Sequence, residues 1–147
     1  MNKFNRLTLL VAAVCLALLA SRLIAKPETA KVNARLDGLR AERLATAKEL
    51  VKGITAAYEA DTVSIEAMFS ASREVLKAEL AISKVKADRV AAYRNHLDRA
   101  KRVERKTTAL YEQGAKGGEH EKYQRAKLER LKVEIALEEE QQKPDDK

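Results

Sequence analysis

Apolar residues recur along this chain at spacings of three and four. Val32, Leu36 and Leu39 open the pattern, and Leu44, Ala47, Val51, Ile54 and Tyr58 resume it after a phase shift. That is the period of one helix face. It predicts a first helix over residues 28–60, about 50 Å long at 1.5 Å per residue. Pro27 suits its first turn, where a missing N–H costs nothing, and Glu28 suits the positive end of the helix dipole. Residues 61–64 break the pattern. Ser64 is placed to cap a second helix, with Glu66 in its first turn. Ile65, Met68/Phe69, Ser72, Val75/Leu76 and Leu80 mark the apolar face of that helix. Ser83 either caps a third helix starting near Lys84 or is passed through by a continuous one.

Val90, Tyr93, Leu97, Ala100, Val103, Thr107 and Leu110/Tyr111 form the clearest heptad-like stripe. Gly114 follows it as a helix-ending glycine, and Gly117 and Gly118 extend the break. Glu119 and Glu121 open a last helix, whose expected apolar face is Tyr123, Ala126, Leu128, Leu131 and Ile135. Residues 143–147 read as a disordered polar tail. No stretch alternates with a period of two, so the expected fold is all-α. Each helix is apolar along one stripe only. Short breaks then favour antiparallel neighbours, in a hairpin or elongated bundle with coiled-coil-like packing.

Composition agrees with long, partly solvated helices: 35% of residues are charged and only 4% aromatic, with no Trp. The net charge is +7. Lys3, Arg6 and Arg22 sit in an acid-free N-terminal segment; without them the body is near +4 (29 less 3 basic residues, 22 acidic). Mixed charge of this kind suits an exposed helical surface, and nucleic acid is not an expected partner.

Residues 1–25 have the form of an export signal. Lys3 and Arg6 precede an apolar run from Leu7 to Ala20, broken only by Thr8 and stopped by Arg22. The run is short for a membrane span, which needs about 20 residues, and right for a signal peptide. Leu occupies the −3 position for cleavage after Ala20 or Ala25, and Cys15-Leu16-Ala17 would shorten the run. The segment is therefore read either as a cleaved signal or as a retained N-terminal membrane anchor. Either places the body outside the cytoplasm, in the periplasm or cell envelope. Cys15 is the only cysteine. Val14 before it is too large for a lipoprotein signal, so Cys15 reads as one more apolar residue.

The remaining residues, 26–142, form one helical domain with an internal repeat, about 45–82 and 99–137. Thr55-Ala56-Ala57-Tyr58-Glu59 answers Thr108-Ala109-Leu110-Tyr111-Glu112. Beyond a turn, Leu76-Lys77-Ala78-Glu79-Leu80-Ala81-Ile82 answers Leu131-Lys132-Val133-Glu134-Ile135-Ala136-Leu137. Each copy resembles a signature of the bacterial outer-membrane efflux (TolC-like) family, a Tyr-x-x-Gly turn followed by a helix with a Leu-x-x-Glu-Leu-Ala-Leu-like run. It is also similar to short exported bacterial proteins of unassigned activity that carry this doubled segment. Tyr111-Glu112-Gln113-Gly114 keeps the glycine; Tyr58-Glu59-Ala60-Asp61 has Asp61 in its place. The resemblance covers about residues 45–140. It implies helical hairpins and an envelope location. Channel activity is not carried over, because no strand of about 9–11 alternating residues is present.

Catalytic and metal-binding patterns are weak. His96 and His120 are the only histidines, and a metal needs three or four convergent ligands. Ser64, Ser70, Ser72 and Ser83 lack a nucleophile-elbow setting. Residues 114–119 lack the Gly-Lys-Ser/Thr ending of a phosphate loop. Glu138, Glu139 and Glu140 read as a solvated helix end. The expectation is a non-enzymatic exported scaffold or adaptor without cofactor or metal, acting through helix–helix contacts with itself or another envelope protein. Tyr58, Tyr93, Leu97, Tyr111, Leu131 and Ile135 would carry the packing, with Asp61, Gly114, Gly117 and Gly118 at the turns. Two alternatives stand beside it. One is an accessory part of a TolC-like efflux assembly. The other is a module that binds anionic surfaces through the basic stretch 94–106, using Arg94, Arg99, Arg102 and Arg105.

Overall fold

The computed structural model describes residues 27–114 and 118–145. The signal or anchor segment 1–25, Gly117 and the end of the tail lie outside the described residues. Four helices are present among them: α1 (Pro27–Glu59), α2 (Ile65–Ile82), α3 (Lys86–Glu112) and α4 (Glu119–Gln142), with no strand. None of these helices is long and apolar enough to cross a membrane. The chain divides into two compact units after Gly38. In the first, residues 29–38 are exposed along their whole length. The packing below concerns the second, residues 39–147.

The helices of this unit run alternately up and down. Ala47 packs with Val75 and Ala78, while Thr55 meets Met68, so α1 and α2 are antiparallel. Ser72 meets His96 and Phe69 shares a cluster with Val103, which makes α2 and α3 antiparallel. Glu104–Arg130 (2.6 Å) and Arg89–Glu140 (2.6 Å) set α3 against α4 in the same sense. Glu66–Arg125 and Arg73–Glu129, both 2.8 Å, place α2 and α4 side by side and parallel. α2 thus touches all three other helices.

Three apolar clusters fill the interior. Tyr58, Ile65, Met68, Phe69, Val103 and Ala126 draw on all four helices near the turns. Ala47, Val75 and Ala78 join α1 to α2, and Leu97, Val133 and Leu137 join α3 to α4. Many buried positions are alanines, among them Ala71, Ala92 and Ala100. Small side chains let the helices approach closely, and the buried apolar surface stabilises the bundle at about 25 cal/mol per Å².

The two hairpin turns match in backbone geometry. Asp61 has φ 56° and Gly114 φ 70°. The N–H of Asp61 donates to Tyr58 O at 3.1 Å, and that of Gly114 to Tyr111 O at 3.0 Å. One residue earlier, Ala60 N–H donates to Ala56 O and Gln113 N–H to Ala109 O, each at 3.1 Å. Aspartate is one of the few side chains that tolerate this left-handed region. The Asp61 carboxylate also meets Lys106 Nζ at 2.8 Å, and this ammonium donates to Tyr58 O at 2.7 Å. A cation there neutralises the carbonyl end of α1 and holds the Asp61 carboxyl below its usual range. At Gly114 a Cβ would meet nothing within 4 Å. Gly114→Ala is therefore expected to cost about 1 kcal/mol, from backbone strain alone. Equilibrium urea unfolding measures it.

Ser64 caps α2 by accepting the Ala67 N–H at 3.2 Å. Ser83 behaves differently from either expectation for it. It ends α2, its hydroxyl donating to Glu79 O at 2.7 Å, and the extended Val85 precedes α3 with no side-chain cap. A serine that bonds back to the preceding turn satisfies that turn's carbonyl and opens no new helix.

Candidate functional site

The bundle interior holds a polar cluster between α2 and α3. Ser72 on α2 and His96 on α3 are each 2% exposed, with Ser72 Oγ 2.8 Å from His96 Nδ1. Arg99 Nε donates to the same Ser72 Oγ at 2.8 Å. Because an arginine only donates, the serine proton is free to point at Nδ1. The cluster then reads as a directed chain from Arg99 through Ser72 to a neutral His96. Burial, followed by the nearby Arg99 charge, pushes the imidazole down to about 4. Burial also lowers the Arg99 guanidinium, against the opposing pull of Glu79. A serine next to an imidazole is the arrangement of an activated nucleophile, but that chemistry needs substrate access. Here both side chains are almost wholly buried, and His96 lines a groove of about 420 Å³ with Arg73, Tyr93 and Glu129. What the chain of hydrogen bonds does is fix α2 against α3, since sliding either helix by a turn would leave buried Ser72 and His96, and half-buried Arg99, without these partners.

The anionic-surface residues divide between two environments. Arg99 and Arg102 line a groove of about 570 Å³ between α1 and α3, together with Lys52 and Asn95. Asp98 lines it too. Arg99 is turned inward onto Ser72, so it is a packing residue more than a surface contact. Arg94 and Arg105 are exposed elsewhere on α3. The structure does not gather the four arginines into one patch.

The predicted packing residues divide as well. Tyr58 and Leu97 are buried, and Tyr93 is half-buried against the Leu97 cluster. Tyr111 is exposed and stacks on Tyr123, with ring centroids 5.5 Å apart and planes 5° from parallel; the His120 ring lies 5.2 Å away. Leu131 and Ile135 lie outside the three interior clusters. They are 39% and 58% exposed, and Leu128 is 53% exposed. The inward face of α4 is Ala126, Val133, Leu137 and Glu140. This corrects the face expected from the sequence. Of the expected face only Ala126 is fully buried; at about 100° of rotation per residue, Leu128, Leu131 and Ile135 fall on the side of the helix opposite Val133 and Leu137.

Buried Glu140 completes the inward face as an ion pair, with Arg89 and Lys143 each at 2.6 Å. The run Glu138-Glu139-Glu140 predicts a solvated helix end; Glu138 and Glu139 are exposed and Glu140 is not. Ser72 and His96 were also missed as a pair. The available signal was that Ala92, His96, Ala100, Val103 and Thr107 continue at spacings of three and four, which puts His96 within the buried stripe. Among the described residues no group of three or more His, Cys, Asp or Glu is arranged to hold a metal.

No protein-family model matches the chain, and no curated protein or solved structure matches it at a significant level.

Proposed function

We propose that this chain is a non-enzymatic scaffold or adaptor of the cell envelope that works through helix–helix contact. The observation that carries this reading is the outward stripe of α4. Leu128, Leu131 and Ile135 have the spacing of a helix-packing seam and face away from the bundle's own core. The bundle needs none of them for its interior, so their apolar surface is available to another helix. The export-like pattern of residues 1–25 supports the envelope location. The efflux-type resemblance lends hairpin geometry to the reading; channel activity is no part of it.

The test is site-specific photo-crosslinking in cells that express the full chain. A photoreactive residue at Leu131 should yield discrete protein adducts, and the same residue at buried Val133 should yield none. Absence of adducts at Leu131, Leu128 and Ile135 alike would overturn the proposal.

A further inference from the structure

We propose that the partner at this seam is a second copy of the chain, with two α4 helices packed antiparallel about a two-fold axis near Leu131. The inference rests on the reading of the seam as a docking surface and names its occupant. The seam is longer than its three apolar residues. Glu121, Gln124, Glu138 and Gln142 continue the same alternation of three and four, and all are exposed. The stripe is thus apolar in the middle and polar at both ends.

Such a stripe meets apolar with apolar in either sense, but parallel packing would set Glu121 and Glu138 each against its own copy, and antiparallel packing does not. In an antiparallel pair Leu131 meets Leu131 of the other copy, and Leu128 meets Ile135. Gln124 then faces Glu138, an amide donor opposite a carboxylate. A two-fold axis makes each of these contacts twice, as an isologous interface requires.

The charges beside the seam select the same orientation. Antiparallel packing sets Lys127 of one copy near Glu134 of the other, and Arg125 near Glu139, each twice. Parallel packing would instead set Lys127 against Lys132 and Glu134 against Glu139, which are like charges. The antiparallel form carries one unfavourable pair, Lys132 against Lys132 at the axis. Lysine stems are long enough to swing both ammonium groups outward. Lys127 lies over the Tyr123 ring at 5.9 Å and, like Glu139, has no ion pair among the described residues. Arg125 and Glu134 already pair within their own chain, with Glu121 and Arg130 respectively, so the interface would extend those networks. Exposed pairs of this kind decide orientation more than affinity. The contact would run about 33 Å along the helix and bury three apolar layers. Three apolar layers on one helix make a small contact, so the expected dimer is reversible, with Kd on the order of micromolar.

Single cysteines in a Cys15→Ser background of the full chain test both partner and orientation. Under mild oxidation Leu131→Cys should give a disulfide-linked homodimer. Leu128→Cys and Ile135→Cys should each fail to self-link, because the two-fold axis separates like positions by roughly 10 Å along the seam, beyond disulfide reach. Mixing the two chains should restore linkage. Lys127→Glu should weaken self-association about fivefold, and adding Glu134→Lys should recover it. No homodimer from Leu131→Cys overturns the proposal, as does self-linkage of Leu128→Cys. In-cell adducts at Leu131 that contain only other proteins would leave the docking seam standing and remove the second copy as its occupant. No adducts at the seam at all would remove both.

Discussion

Phe69→Ala is expected to lower the unfolding free energy by about 3–5 kcal/mol, the usual cost of deleting a buried phenylalanine side chain. Phe69 lies in the one cluster that contains residues from all four helices, beside Tyr58 of α1, Val103 of α3 and Ala126 of α4. Removing its ring loosens the α1–α2 hairpin and the α3–α4 hairpin at the same point. Domains of this size are stable by about 5–15 kcal/mol, so the loss is a large fraction of the total. Urea unfolding followed by helical circular dichroism should show a single transition displaced to lower denaturant. Two separate transitions would show that the hairpins unfold independently and that Phe69 does not couple them. Leu131→Ala on the outward face serves as the comparison, with an expected change within about 0.5 kcal/mol for the isolated chain.

Acid should destabilise the bundle in two stages, and the first belongs to His96. The native imidazole resists protonation down to about 4, whereas the unfolded chain takes up this proton near the ordinary histidine value of 6.5. Above pH 6.5 both states hold a neutral ring and its full contribution is present. As pH falls from 6.5 toward 4, protons bind mainly to the unfolded state, and stability drops. Below about 4 both states are protonated and the loss levels off. The full loss is about 3 kcal/mol. The carboxyls of Asp61, Glu66, Glu74 and Glu140 are held below the usual range by their hydrogen bonds and cations. Their contribution is present above the ordinary carboxylate range and lost only below it. The slope between pH 6.5 and 5 is therefore the histidine's. His96→Gln keeps an acceptor for the Ser72 hydroxyl and removes the titration. Unfolding measured at several pH values should give a flat line over that interval for the variant. An unchanged slope would place the titrating group elsewhere.

The first and last helices, the start of α2 and the doubled turn were legible in the sequence; the separation of α2 from α3 was not. Val51, Ile54 and Tyr58 announce α1, and Ser64 marks the start of α2. Asp61 stands where its counterpart is Gly114, and the backbone at both is left-handed. What could not be read was which side of α4 turns inward. Ranking by size favours Leu128, Leu131 and Ile135 over a stripe that begins with Ala126 and ends with Glu140. Inside this bundle Ala126 packs in the cluster of Tyr58, Phe69 and Val103, Val133 and Leu137 pack with Leu97, and Arg89 compensates the glutamate. Periodicity shows that a helix has a face; the space left by neighbouring helices decides which face is used. The break at Val85 was hard to place for a similar reason. It has no glycine or proline, and it depends on Ser83 bonding back to Glu79 O.

The alanine-lined interior has a consequence for how this chain can change over time. At Ala126 and Val75, both 0% exposed, any larger side chain must push α2 away from a neighbour. At Ala47, Ala71, Ala78, Ala92 and Ala100 little remains to be trimmed. Growth is obstructed and shrinkage has almost nowhere to go, so variation is driven to the outer surfaces. Those surfaces include the α4 seam and Arg94, Arg102 and Arg105 of α3. The positions that would choose a partner are thus the ones this architecture leaves freest to drift.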